Sequence, residues 1–306
     1  MNLARLLLQD RLPVTAPPVV PGTRLELRRT QRPTIRDYDK GVRLPDEVLE
    51  IVENRASEVP FSALKRAAQQ LSQAYREGKT TAQVQGAGKH LATAYLVTRF
   101  PATYAAAYAA LSELRARLPN FQPQSLLDLG AGTGSVALAA RQLFEDLQKL
   151  TLIEPELAFI DVGREVVPEA EWICARISRF ERFEPHDLVV ASYVLGEFNE
   201  EQIGVIARRA WEATQGAFIA IEPGSPRGFA RIRRVRDVLL HHGARMVAPC
   251  PSEGPCPQPA DDWCHFAQRV ERSSLHRRLK DARLPYEDEK FSYVIVARDP
   301  GLLPPA

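Results

Sequence analysis

Two hydrophobic patterns follow one another along the chain. From about residue 45 to 118, apolar positions recur at three- and four-residue steps, the spacing that lines one face of an α-helix. "PDEVLEIVENRASE" opens with Pro45 at a first helical position and acids in the first turn, both favourable at a helix N-terminus. "PFSALKRAAQQLSQAYREG" keeps the same spacing. "GKHLATAYLVTRFPATYAAAYAALSELRARLP" predicts two helices broken at Pro101, which lacks a backbone donor. At Gln124 the pattern changes. "SLLDLG", "KLTLIEPE", "AEWICARI", "HDLVVASYVLGEF" and "GAFIAIEPG" read as short apolar strands. "SVALAARQLFEDL", "AFIDVGREVV", "NEEQIGVIARRAWEAT" and "RGFARIRRVRDVLLHHG" read as the helices that alternate with them, and "CHFAQRV" and "FSYVIVAR" read as two closing strands. This alternation predicts an α/β fold with a mostly parallel, doubly wound sheet. The expected organisation is an irregular basic arm over 1–44, a helical domain over 45–120, and a sheet domain over 121–306 with a cysteine loop at 248–264.

Composition narrows this little. The 306 residues are 45% hydrophobic and 25% charged, ordinary for a globular protein. No apolar run is long enough to cross a bilayer, so no membrane partner is expected. A net charge of +2 makes no case for nucleic acid by itself, which leaves local clusters to make it. Residues 24–36 hold five Arg against one Glu, either a solvated arm or one that touches phosphate. "MNLARLLLQDRLP" is too short and too charged for a secretory leader. The expected location is the cytoplasm, with the mitochondrial matrix as the alternative.

The chemistry concentrates in two places. Asp128-Leu-Gly130-Ala-Gly132-Thr-Gly134 follows a predicted strand and opens a helix, the setting in which backbone amides can approach a nucleotide-like cofactor. Glu154 ends the next strand, where a carboxylate can accept from both ribose hydroxyls. No Gly-Lys-Ser/Thr follows, which excludes a P-loop. The second place is "PCPSEGPCPQPADDWCHF", with Cys250, Cys256 and Cys264 in a proline-rich loop. The spacing is not that of a zinc ribbon, and three thiols are one short of a closed site. His265, His242 and His241 are candidate fourth ligands. Topology predicts the cysteine loop at the sheet end opposite the cofactor, and Cys174 as a small buried hydrophobe near the third strand's end.

"LDLGAGTGS" with "IEPE" resembles the class I S-adenosylmethionine-dependent methyltransferases; a dinucleotide-binding fold is the competing reading. The resemblance implies a Rossmann-like sheet whose last strand is antiparallel. It also implies S-adenosylmethionine held by Asp128, Gly130, Gly132, Gly134 and Glu154. Neither an Asn/Asp-Pro-Pro-aromatic motif nor a Pro-Cys nucleophile follows the fourth strand, where "ASYVLGEF" stands instead. Tyr193 and Glu197 either line an acceptor pocket or merely pack and cap, and no catalytic acid–base pair identifies itself.

A narrower resemblance rests on "AYLVTRFPATYAAAY", "LLDLGAGTGS", "ASYVLGEF", "IEPGSPRGF", "CPQPADDWCHFAQRVERSSLHRRLK" and "YEDEKFSYVIVAR". Over residues 40 to 298 these are similar to the family of the mitochondrial small-ribosomal-subunit protein and its bacterial relatives (the methyltransferase-like protein seventeen family). That resemblance implies a role in small-subunit assembly and translation, binding to small-subunit rRNA, and a four-cysteine iron–sulfur (4Fe-4S) centre. Three ligands would be Cys250, Cys256 and Cys264. The family's fourth cysteine lies beyond the last strand, where this chain reads "DPGLLPPA". Zinc is the other metal considered. Arg231 and Arg234 after the fifth strand, and Arg277, Arg278 and Lys280 between the last two, are the candidate rRNA contacts; each phosphate contact would add a salt-dependent increment. Three functions follow: an rRNA methyltransferase, a non-catalytic assembly factor that keeps the cofactor fold, or a small-molecule methyltransferase.

Overall fold

The computed structural model describes residues 41–77, 84, 88–250, 252–259 and 261–298, all within one compact unit, Tyr38–Ala306. The Arg-rich arm and the stretch "MNLARLLLQDRLP" lie outside the described residues. Four helices come first: α1 Asp46–Ser57, α2 Phe61–Arg76, α3 Gly88–Thr98 and α4 Phe100–Arg117. The break between α3 and α4 falls at Arg99, and Pro101 sits in the first turn of α4, where its missing N–H costs nothing.

The sheet segment then runs β1 Ser125–Leu129, α5 Ser135–Leu143, β2 Lys149–Glu154, α6 Leu157–Val166, β3 Glu171–Cys174, β4 His186–Ser192, α7 Glu200–Ala213, β5 Thr214–Pro223 and α8 Pro226–His241. It finishes with β6 Arg245–Ala248, β7 Phe266–Glu271, α9 Ser274–Leu279 and β8 Tyr286–Ala297. Strand order is β3-β2-β1-β4-β5-β8-β6, with β7 off that path and paired to β8. Strands β1 to β5 are parallel to one another, and β8 runs antiparallel to β5, β6 and β7. This is the Rossmann-like, mostly parallel sheet with an antiparallel last strand.

Period-two alternation sends side chains to two separate cores. Leu126, Leu188, Val190, Ile219 and Ile295 face one, and Leu127, Val189, Phe218, Ala220 and Val294 face the other. The first core is covered by α3, α4 and α5, with Phe100, Leu111 and Leu114 fully buried in it. The helical segment and the sheet therefore share one core, and α3 and α4 form the layer over one sheet face. The second core is covered by α7 and α8 through Ile203, Trp211, Ile232 and Val235.

One strand alters the expected layout. The sequence reading has the chain pass from α8 directly to "CHFAQRV", which leaves the cysteine loop at the end away from the cofactor. The structure inserts β6 between them. Because β6 and β5 are both antiparallel to β8, β6 runs in the same direction as β1 to β5. The chain thus returns to the carboxyl end of the strands before the cysteines begin. Four residues followed at once by Pro249 are too short to carry a period-two signal.

Candidate functional site

The glycine loop leaves β1 at the carboxyl end of the sheet. The amides of Gly130 and Ala131 both donate to the Ile153 carbonyl, at 2.9 and 3.0 Å. Gly130 has φ +76°, and an added Cβ would stand 2.4 Å from Val194 Cγ2, so the position excludes any side chain. Gly134, at φ +86°, starts α5.

Glu154 braces this loop from below. Its Oε2 accepts from the Gly132 amide at 2.9 Å and its Oε1 from the Glu156 amide at 3.0 Å. Each carboxylate oxygen keeps a second acceptor direction for a ribose hydroxyl. Burial pushes the carboxyl up to about 7, against the two amides.

Asp128 differs. It is fully buried beneath the loop, and neither carboxylate oxygen has a hydrogen-bond partner. Burial, followed by the nearby charge of Glu154, pushes it up to about 8. An orphaned buried carboxyl is costly and suits a group that meets a cation. The ammonium of a methionine-type cofactor is such a group, and it reaches Asp128 only if the loop shifts, because Asp128 is sealed from the cleft.

Above the loop lies a cleft of about 810 Å³, within the range of small-molecule sites. Gly130, Gly132, Glu154, Glu156 and Ile177 line its donor half. Tyr193 and Glu197 line it as well, so both reach the cleft wall; burial raises Glu197.

Three residues that sequence reasoning missed complete the wall: Arg99, Glu222 and Glu289. Glu222 ends β5, accepts from the Leu195 amide at 2.9 Å and pairs with Arg231 at 3.0 Å. Burial takes its carboxyl to about 7 even against that cation. A signal was present: Ile221-Glu222-Pro223 repeats Ile153-Glu154-Pro155 at the end of a second parallel strand. Arg99 and Glu289 carry no such mark, because only the fold brings α4 against β8.

The cysteine loop lies at the cleft's own end of the sheet. Trp263 Nε1 donates to the Gly224 carbonyl at 3.1 Å, and Ser292 Oγ donates to the Cys264 carbonyl at 2.7 Å. Arg236 of α8 holds the loop through the carbonyls of Ser252 and Gly254. Cys250 is exposed, while Cys256 and Cys264 are half-buried. Burial raises the Cys264 thiol, and the neighbouring Cys256 and Cys250 raise it further. The three thiols therefore share one neighbourhood, yet no three His, Cys, Asp or Glu side chains among the described residues are arranged to hold a metal ion. His241 and His242 end α8 just before β6 begins, at the end of that strand away from the cysteine loop, and His265 stacks on Trp263. Cys174 is exposed, not buried as expected, because β3 is the outermost strand.

The candidate rRNA contacts divide between two faces. Arg231 is engaged with Glu222, and Arg234 is exposed on α8, which packs into the second core. Arg277, Arg278 and Lys280 belong to or follow α9, whose Leu279 enters the first core. Arg278 lies over the Phe61 ring at 4.6 Å and Lys280 stands 3.6 Å from Glu287.

The chain is 28% identical over 229 residues to "Ribosome assembly protein METTL17, mitochondrial" of Homo sapiens, covering 68% of this chain and 49% of that protein. It is 27% identical over 236 residues to "Rsm22-cox11 tandem protein 2, mitochondrial" of Schizosaccharomyces pombe, covering 67% and 31%. The chain thus spans half or less of the length of these relatives. Among solved structures, magnesium protoporphyrin IX methyltransferase of Synechocystis PCC 6803 with bound SAH overlays at a TM-score of 0.43 and 10% identity, covering 65% of this chain and 84% of that one. At that level the overlay carries no argument, and the fold rests on the strand order above. A family model described as "Mitochondrial small ribosomal subunit Rsm22" matches residues 89–302, from the start of α3 past the end of β8, and the chain belongs to that family.

Proposed function

We propose that this chain binds S-adenosylmethionine in the cleft and serves small-ribosomal-subunit assembly through contact with small-subunit rRNA. Asp128 carries the cofactor part of this reading: a sealed carboxyl with no partner, directly under a glycine loop that Glu154 braces. The residues fit the group. Glu154 would orient the ribose, the loop would lie under the methionine portion, and Asp128 would take its ammonium. The cofactor supplies an electrophilic methyl group on sulfur. The chain's own part is to orient it, exclude water and present the far half of the cleft. The ribosomal part rests on family membership and on the ribosome-assembly role that the human relative's name states. Both relatives quoted are named as mitochondrial, which supports the matrix over the cytoplasm.

A second reading, an assembly factor without methyl transfer, is favoured by one observation. In the far half of the cleft Glu222 is paired with Arg231 and Glu289 with Arg99, so neither of these two carboxylates is free to act as a base. The iron–sulfur centre implied by the resemblance does not fit the described loop, whose three thiols are not gathered into one ligating cluster among the described residues. It therefore takes no part in the proposal.

Calorimetric titration with S-adenosylhomocysteine tests the donor site, and Gly132→Arg should abolish binding. A variant that loses the cofactor yet still supports small-subunit assembly would select the non-catalytic reading. Absence of cofactor binding by the wild type would refute the proposal.

A further inference from the structure

The cleft continues beyond its donor half. Past Ser192 it reaches a wall built from four elements: Tyr75 of α2, Arg99 at the start of α4, Tyr193 after β4, and Glu289 of β8. We infer that this far half is a subsite for a nucleobase, a planar, uncharged group with donors and acceptors on its edge. The inference rests on the cofactor reading above, which accounts for the donor half alone.

Charge selects the class of ligand. Arg99 faces Glu289 and Arg231 faces Glu222 in matched pairs, and Arg227 and Glu197, which also line the cleft, keep the two signs balanced. A phosphate entering here would meet two carboxylates. An ammonium would meet two guanidinium groups. An aliphatic chain would cover four ions and satisfy none of them. A neutral planar group with a mixed polar edge avoids all three penalties.

Geometry points the same way. The Arg99 guanidinium lies over the Tyr75 ring at 4.9 Å and over the Tyr193 ring at 5.9 Å, so flat groups already stack along this wall. Both Arg99 contacts to Glu289 are 3.3 Å, longer than the roughly 2.7–2.9 Å of a tight charge-assisted bond. Arg99 Nε and Ser192 Oγ are buried with no partner. One loose pair and two orphaned polar atoms are what a bound polar edge would tighten and satisfy.

Tyr193 adds an independent mark. It holds φ +56°, a left-handed backbone that costs a non-glycine residue free energy and tends to occur at ligand sites. The conformation is held by its amide bonding to the Ile221 carbonyl and its hydroxyl donating to Glu289 Oε1, both at 2.8 Å. Such a base must be unpaired to enter, as in a single-stranded or flipped-out nucleotide.

The test uses the intact chain saturated with S-adenosylhomocysteine, so that the donor half cannot take up the probe. Adenosine, cytidine, guanosine and uridine are then titrated and followed by saturation-transfer NMR, with ribose 5-phosphate as the control. At least one nucleoside should bind. Tyr193→Ala should weaken it about tenfold or more by loss of stacking, whereas Tyr193→Phe, which keeps the ring, should retain most of the affinity. A thermal shift on adding S-adenosylhomocysteine shows that each variant is folded. Equal affinity in wild type and Tyr193→Ala, or ribose 5-phosphate binding as well as the nucleosides, would overturn the subsite. Binding of S-adenosylhomocysteine without any nucleoside overturns the subsite alone. Failure of the wild type to bind S-adenosylhomocysteine overturns both readings.

Discussion

Replacing Asp128 by Asn should stabilise the ligand-free protein while weakening cofactor binding. Asp128 is fully buried and unpartnered, and its carboxyl is pushed from 3.8 to about 8. The folded state therefore holds a proton that the unfolded chain releases. Stability from this group is complete below pH 3.8 and is lost as pH rises toward 8. The loss runs at about 1.4 kcal/mol per pH unit and levels off near about 6 kcal/mol. Asn has nearly the same shape and does not titrate. Glu154 titrates in both proteins and cancels in the difference, apart from its coupling to Asp128. Urea unfolding of both proteins at pH 5.5 and 7.5 should show the advantage of the Asn variant growing by about 3 kcal/mol between the two. Affinity for S-adenosylhomocysteine should fall about tenfold or more, the worth of one hydrogen bond to a charged group. A stability difference that does not change with pH would mean that Asp128 has a partner or is not ionising on unfolding, and the argument would fail. Unchanged affinity would sink its assignment to the cofactor.

Three further outcomes follow from the same geometry. Gly130→Ala drives a methyl group into Val194 at a left-handed φ, and should lower stability by about 2 kcal/mol or more in urea unfolding. Arg231→Ala leaves Glu222 buried beside no cation; the variant should be most destabilised at pH 8, by about 3–5 kcal/mol, and less so at pH 6, where Glu222 protonates. Thiol labelling followed by mass spectrometry should modify Cys174 and Cys250 before Cys264, whose thiol is half-buried and raised; equal rates would contradict the packing of the loop against Gly224 and Ser292.

The amino-acid sequence by itself determined what depends on neighbours along the chain. Period-two and helical apolar spacing marked β1 to β5 and the helices between them. The "DLGAGTG" and "IEPE" stretches located the donor half, because a turn with left-handed glycines and a strand-end acid are local requirements. Tertiary structure alone decided what depends on contacts between distant segments. The four residues of β6 carry almost no pattern, yet they reverse the chain and bring the cysteine loop to the cleft's end of the sheet. Arg99 and Glu289 lie 190 residues apart and become partners only when α4 covers β8. Arg231 reads as a free cation in the sequence and proves to be held by Glu222. The helices over 45–118 could have stood apart; Phe100, Leu111 and Leu114 instead close one face of the sheet. Local spacing reports which face of an element is apolar, and only packing decides which other face it meets.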